Sequence, residues 1–338
     1  MSIGAIEKFP EMPTVNFNKL YGDGFSQVKI EKMKCLFKAL EHATTDTLHS
    51  IVKIWRSSPS MRHFFNNSEA FSVSINPYNK DTAGNNIGMD SYMFRNNAQN
   101  PRKYFVVDFA NCMIGGGVLG HGAVQEEILF VEHPDCIAAR CVMPKMEANE
   151  SIIIEGARKT CSHLGYANQF EFDRISTTDL SPPTNSILGR VFVCINATDY
   201  SKRKQDQYHI DEIRRELIKA LSGFSAFGIP QNCVTGNWGC GAFGGDETLK
   251  ALIQILAASM AYLESINYCC FGKVKLHADL KLLIGELKNH RTTVGEYFRA
   301  MVKTAEAVKI GRAFKMTDFL HSKLPRRINF ELFPQIYV

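Results

Sequence analysis

The sequence predicts a three-layer α/β/α sandwich, on three observations. Short β-prone runs alternate with amphipathic helical segments from about residue 104 onward. Two of those runs lead straight into glycine-rich loops. The composition, 45% apolar and 22% charged, is that of an ordinary folded protein. At 338 residues the chain holds two average domains, or one large α/β domain with an appended helical region.

In chain order, Ile30, Met33, Phe37 and Leu40 recur at helical spacing, and Leu48, Ile51, Val52 and Trp55 repeat the pattern after a cap at Thr45. This predicts a helical N-terminal region. From about Pro59 to Lys103 the chain is polar and asparagine-rich, which predicts a long loop. Strands are then expected at Tyr104 to Phe109, Ile128 to Val131, Ser151 to Ile154, Phe170 to Phe172, Val191 to Ile195, Cys233 to Thr235 and Tyr268 to Phe271. Ile210, Ile213, Leu217 and Leu221 mark an amphipathic helix with Asp211, Arg214, Arg215 and Glu216 outward, and another helix starts at Asp246. The apolar run Ala251 to Leu263 is too short to span a bilayer and carries Gln254, so it reads as a buried helix. Val294 begins a last helix, with Tyr297, Met301 and Val302 on one side, before a basic-aromatic tail.

A net charge of +5 does not by itself indicate nucleic acid, and it suits a polyanionic substrate. The ten cysteines show no CxxC pair and no histidine at zinc spacing, which argues against a metal site and a disulfide framework. Glu7, Lys8, Pro10, Glu11 and Pro13 interrupt any signal-peptide core. An intracellular protein with reduced thiols is expected, nuclear or cytoplasmic, with no membrane association and as a monomer.

Two stretches carry chemistry. Val107-Asp108-Phe109-Ala110-Asn111 runs into Gly115-Gly116-Gly117, and Gln125-Glu126-Glu127 follows seven residues later. Glycines in series suit a backbone that approaches a ligand closely, although alone they mark a turn more often than a site. The amide and two carboxylates at the edge of an apolar run shift that reading toward an active site. The second stretch, Gly236-Asn237-Trp238-Gly239-Cys240-Gly241-Ala242-Phe243-Gly244-Gly245-Asp246, lies between a strand and a helix. There, glycines let a diphosphate reach the unpaired amides of a helix N-terminus. It lacks the Gly-Lys-Ser/Thr ending of a P-loop and departs from the dinucleotide fingerprint, so no nucleotide cofactor is expected. Phe243, Phe271 and Tyr166, each beside a glycine, are placed to hold a nucleoside.

Together these motifs resemble the eukaryotic type of poly(ADP-ribose) glycohydrolase, from about Asn100 to Val302. The resemblance implies a macrodomain with a mixed central sheet. Residues 1–100 would form a helical extension and asparagine-rich loop packed on the core, 101–310 the catalytic core and 311–338 a tail. It implies hydrolysis of the ribose–ribose O-glycosidic bonds of poly(ADP-ribose) and its protein conjugates, mainly from chain ends, with no cofactor. By motif, Glu127 is the catalytic acid, and Glu126 and Asn111 hold hydroxyls of the ribose being cleaved. Gly115, Gly116 and Gly117 admit that ribose, and Gln125 joins the binding set. Gly241, Ala242, Phe243, Gly244 and Gly245 cradle the diphosphate, with Asn237 near the ribose. Tyr166 closes over the ligand, and Phe271 stacks on adenine. Asp108, counted with the binding set, serves more to fix the loop. The stretch Lys159 to His163 lacks the tyrosines common in the family, and Tyr268-Cys269-Cys270-Phe271 replaces a more aromatic strand. Two rival readings are an ADP-ribose-binding module without catalysis and a cysteine hydrolase using Cys112 or Cys240 with His121.

Overall fold

The structure, a computed structural model, describes residues 11–22, 24, 26–45, 52–59, 72–76, 104–175, 190–227, 231–289, 292–312 and 316. A seven-stranded mixed sheet forms the middle layer, in the order β1-β4-β7-β3-β8-β9-β2. Strands β7 (Arg190–Asn196), β3 (Tyr104–Ala110), β8 (Asn232–Gly236), β9 (Ser265–Cys269) and β2 (Ser72–Asn76) run parallel. Strands β4 (Ser151–Ala157) and β1 (Lys53–Ser57) complete the other side through antiparallel pairs. The centre of the sheet is apolar on both faces because helices cover both faces, which explains the unbroken runs in β3, β4 and β7.

Helices α1 (Asn18–Tyr21), α2 (Gln27–Thr45), α3 (Gln125–Glu132) and α4 (Ala139–Val142) lie on one face, and α5 (Ile210–Phe224), α6 (Glu247–Met260), α7 (Val274–Asn289) and α8 (Val294–Lys309) on the other. Alternation along β3 divides the two cores. Phe105 and Val107 pack with Leu217, Leu252 and Met301, while Val106 and Ala110 pack with Phe130, Leu129 and Cys35. A hairpin of β5 (Cys161–Leu164) and β6 (Glu171–Ile175) forms a separate two-stranded sheet.

Most expected elements are present, and the apolar faces of α5 and α8 are those predicted, with Ile213, Leu217, Leu221, Tyr297, Met301 and Val302 buried, although Glu216, expected outward on α5, is buried too. Helix α8 starts with a reciprocal cap in which Thr293 Oγ1 accepts from Glu296 N and the Glu296 carboxylate accepts from Thr293 N.

Four expectations are corrected. Ile128 to Val131 is helix, not strand, because a helix buried all round presents an apolar run too short for periodicity to classify. Trp55 lies in β1, opposite Ile153, rather than in a helix, while residues 46–51 fall outside the described residues. The asparagine-rich stretch contains strand β2. The expected boundary at residue 100 therefore falls inside the sheet, whose two edge strands both precede it. Finally, α2 buries a face rotated from the predicted one. Phe37 and Leu40 are exposed, while Lys29, Glu31 and Lys32 are buried with Val28, Cys35 and Leu36.

Candidate active site

Strands β7, β3, β8 and β9 direct their carboxyl ends to one edge of the sheet, the position at which open α/β sheets bind ligands. The loops that follow them interlock. Trp238 Nε1 donates to Ile195 O at 3.0 Å, and Tyr200 N donates to Phe243 O at 2.8 Å. The Tyr268 hydroxyl donates to Asn237 Oδ1 at 3.0 Å. Phe271, half-exposed just past β9, rests on Gly236, where a Cβ would lie 2.5 Å from its ring. Glycine at 236 is what admits this ring.

Helix α3 begins at the Gln125-Glu126-Glu127 triplet, and all three side chains bind back to the end of β3 and the loop after it. Gln125 Oε1 accepts from Phe109 N at 2.7 Å, while its Nε2 donates to Val107 O. Glu126 accepts from Asn111 N at 2.9 Å and Gly115 N at 2.6 Å. Glu127 accepts from Gly117 N at 2.8 Å through Oε1 and from Val124 N at 3.0 Å through Oε2. The second of these caps the helix, so one carboxylate both starts α3 and faces the glycine loop. Asn111 Oδ1 in turn accepts from Met113 N. Gly116 adopts φ +43°, and a Cβ there would stand 2.6 Å from Glu127 Oε1 and 2.7 Å from Glu126 Oε2. Any side chain at 116 would displace the carboxylates. Gly117 is exposed, so the amide that binds Glu127 lies at the protein surface.

Asp108 lies behind these carboxylates, closed off from solvent, and therefore does not present a binding surface. Its side chain points from β3 into the α3 face of the sheet, next to Cys194, its register partner on β7. Neither oxygen has a partner at normal hydrogen-bond geometry among the described residues, although the Cys194 thiol interacts with it. Burial pushes this carboxyl up to about 8, with Glu127 adding to the effect. Burial also pushes Glu126 well up, followed by repulsion from Asp108 and Glu127 and against the pull of its two amide hydrogen bonds. Two neighbouring buried carboxyls are thus both raised above the usual carboxylate range.

Tyr166 stands beside this cluster at the tip of the β5–β6 hairpin. Its hydroxyl accepts from Gln125 N at 3.2 Å, Ala167 N donates to Ala123 O, and its ring remains half-exposed. Burial raises its phenol.

The loop after β8 is built differently. Cys240 N, Gly244 N and Gly245 N donate to carbonyls within the loop, whereas no protein acceptor meets the amides of Gly241, Ala242 and Phe243 among the described residues. Gly241 and Ala242 are exposed. Successive amides without a protein acceptor are the groups from which anion-binding concavities are built. Asp246 caps α6 by accepting from Leu249 N at 2.8 Å and also accepts from the Tyr208 hydroxyl. Burial pushes the Cys240 thiol up to about 12, which removes it as a thiolate nucleophile, and the Cys112 thiol contacts Asn111 Oδ1. No group of three or more metal-ligating side chains occurs among the described residues.

The family model for the catalytic region described as poly(ADP-ribose) glycohydrolase (PARG), macro domain fold, matches residues 89–278, which contain both loops. The chain belongs to the poly(ADP-ribose) glycohydrolase family. Poly(ADP-ribose) glycohydrolase 1 of Caenorhabditis elegans is 37% identical over 213 residues, covering 59% of this chain and 27% of that protein. Poly(ADP-ribose) glycohydrolase 1 of Arabidopsis thaliana is 27% identical over 369 aligned positions, covering 86% and 64%. The chain thus spans less than two thirds of the length of either relative. Among solved structures, the poly(ADP-ribose) glycohydrolase of Thermomonospora curvata bound to the inhibitor ADP-HPD is 13% identical, covers 74% of this chain and 97% of that one, and has a TM-score of 0.42, too loose to carry an argument.

Sequence reasoning missed two groups that support this family's loops here. Buried Arg140, on α4, donates through Nη1 to Ile114 O at 2.7 Å and Gly116 O at 3.0 Å, and through Nη2 to Thr14 O. It turns the carbonyls of the triple-glycine loop inward while the amides turn to Glu126 and Glu127. Under the second loop, Lys250 of α6 pairs with Glu216 of α5, both buried, and its ammonium lies 4.1 Å from the Trp238 ring centroid. Glu216 had been expected to face outward on α5. A cation inside an otherwise apolar helix is the sequence signal that marks such residues, but not their partners.

Proposed function

We propose that this chain hydrolyses the ribose–ribose O-glycosidic bonds of poly(ADP-ribose), mainly from chain ends, releasing ADP-ribose. The observation that carries this reading is the placement of Glu127. Its carboxylate is fixed by two backbone amides at the mouth of a glycine loop, beside a buried second carboxyl and an exposed tyrosine. A module that only binds ADP-ribose has no need of an acid held at that point.

In this reading the unpaired amides of Gly241, Ala242 and Phe243 hold the diphosphate, Phe271 stacks on the adenine, and Tyr166 covers the site. Glu126 and Asn111 orient ribose hydroxyls. Glu127 protonates the departing ribose oxygen as the bond to the anomeric carbon lengthens toward an oxocarbenium-like state. The substrate diphosphate and the carboxylate left on Glu127 stabilise that cation, after which Glu127 removes a proton from the attacking water. Asp108 supports Glu126 from behind. Free thiols at all ten cysteines favour a reducing compartment, and no helix among the described residues is long and apolar enough to cross a membrane. We place the protein inside the cell, acting as a monomer on poly(ADP-ribosyl)ated proteins and without direct nucleic-acid contacts.

The test is incubation of purified protein with poly(ADP-ribose) and chromatography of the products. Free ADP-ribose with progressive chain shortening is expected. Tight binding of the polymer with no release would replace this reading with that of a binding module.

A further inference from the structure

Helix α2 buries three charged residues side by side, Lys29, Glu31 and Lys32, while leaving Phe37 and Leu40 in solvent. Burial of charge in preference to apolar surface runs against the usual ordering and calls for partners that reward it. For Lys32 they are three main-chain carbonyls of the segment that links the triple glycine to helix α3. Its Nζ lies 3.2 Å from Gly117 O, 2.9 Å from Gly120 O and 2.5 Å from Gly122 O. An ammonium has three donors and no acceptor, so this set satisfies it completely.

The same segment wraps Glu127 on its other side. Gly117 N and Val124 N bind the two Glu127 oxygens, and a Cβ at Gly122 would lie 2.6 Å from Oε1. The loop is therefore a sheet of peptide with its carbonyls on a buried cation and amides on the carboxylate. One residue earlier in α2, Glu31 accepts from Phe172 N of β6 at 3.1 Å and ties the helix to the hairpin whose tip carries Tyr166. The helix thereby spans the two walls between which the ribose is placed.

We propose that Lys32 is a positioning residue of the hydrolytic site, its ammonium holding the Gly117–Gly122 loop in the shape that presents Glu127 to the substrate. This rests on the glycohydrolase reading above and extends it, by making a helix outside the matched family region a working part of the site. Lys32 does not touch substrate. It acts on Glu127 through three carbonyls and the peptides between them. Burial brings its ammonium down to about 8, and the titratable groups that face it are Glu127 from α3 and Lys29 and the Cys35 thiol from its own helix, with Glu127 opposing the shift. Loss of the Lys32 proton removes one donor and the charge, so the loop should loosen as pH rises through that value.

The test compares wild type with Lys32→Met and Lys32→Arg. Hydrogen exchange at the amides of residues 117–124 is measured first, because it does not depend on turnover. Exchange should quicken at least tenfold in Lys32→Met, and in wild type as pH is raised through about 8 beyond the intrinsic base catalysis. With polymer as substrate, Lys32→Met should lose about a hundredfold in kcat, the scale of an acid misplaced by ~1 Å. Its affinity for ADP-ribose should stay within threefold, since the diphosphate loop is untouched. Lys32→Arg, whose guanidinium keeps its charge, should restore most of kcat and continue past the pH at which wild type declines. Unchanged exchange in Lys32→Met, or unchanged kcat, overturns the proposal. So does an alkaline limb common to wild type and Lys32→Arg. If Lys32→Met does not fold, Lys32→Arg and the wild-type pH series decide. If wild type releases no ADP-ribose, the glycohydrolase reading fails, and the exchange result still stands or falls alone.

Discussion

The loops after β3 and β8 end adjacent parallel strands and are both rich in glycine, yet they spend their peptide groups in opposite ways. In the first, the amides of Asn111, Gly115 and Gly117 are taken by Glu126 and Glu127, and the carbonyls of Ile114 and Gly116 by Arg140. In the second, the amides of Gly241, Ala242 and Phe243 meet no protein acceptor among the described residues. Amides taken by two carboxylates hold those acids in place, whereas exposed amides without a protein acceptor are the kind of donor that an anion can use. The shared glycine content therefore reflects two different needs: room beside two carboxylates in one loop, and access for a ligand in the other.

The largest effect that would sharpen this contrast is expected at Glu127. Glu127→Gln keeps the packing but cannot supply the proton, so turnover should fall by roughly a thousandfold or more while ADP-ribose affinity stays within about tenfold. Single-turnover kinetics with calorimetry on the same variant would show it, and near-normal turnover would remove the acid from the first loop.

The support of the second loop is the next largest. Lys250→Met leaves Glu216 Oε2 buried without its cation while Oε1 keeps Arg215 and Thr198, which should cost ~1–3 kcal/mol of stability. Denaturant unfolding followed by fluorescence would measure this, and a cost below ~1 kcal/mol would show that Trp238 and its neighbours hold the loop without the ion pair.

A smaller, spectroscopic effect distinguishes the loops in wild type. Titration with ADP-ribose should move the amide resonances of Gly241, Ala242 and Phe243 further than those of Gly115 and Gly117, whose acceptors are already in place. The reverse ranking would erase the comparison.

A further effect concerns the buried acid behind the first loop. Asp108 has its carboxyl raised from an ordinary 3.8 to about 8, so the folded state binds the proton more tightly than the unfolded chain. Its contribution to stability is fully present below about 4 and is lost as pH rises toward about 8. Asp108→Asn should flatten that part of the stability profile. Equal slopes in mutant and wild type across pH 4–8 would show that Asp108 does not hold the proton.

Much of the fold was legible. Strands β3, β4 and β7 are largely apolar runs, and α5 and α8 carry a clear 3.6-residue period, because one face or two of each element must be dry. Helix α3 was misread for the same reason: Ile128 to Val131 are buried on every side, and a helix without a wet face has no period to show. In α2 the visible stripe of Ile30, Met33, Phe37 and Leu40 pointed to the wrong face, because Glu31 and Lys32 find partners far away in the chain.

The candidate residues are legible in the sequence: the glycines, the Gln125-Glu126-Glu127 triplet and the aromatics beside glycines are local patterns, and their spacing along the chain suffices to mark them. Tertiary structure alone decided how each is held. Glu127 and Asp246 each cap a helix, and Lys32, Arg140 and Lys250 sit beneath loops distant in sequence. The reason is physical. A backbone carbonyl or amide carries no residue identity, so a side chain that binds one leaves no mark in the sequence of its partner.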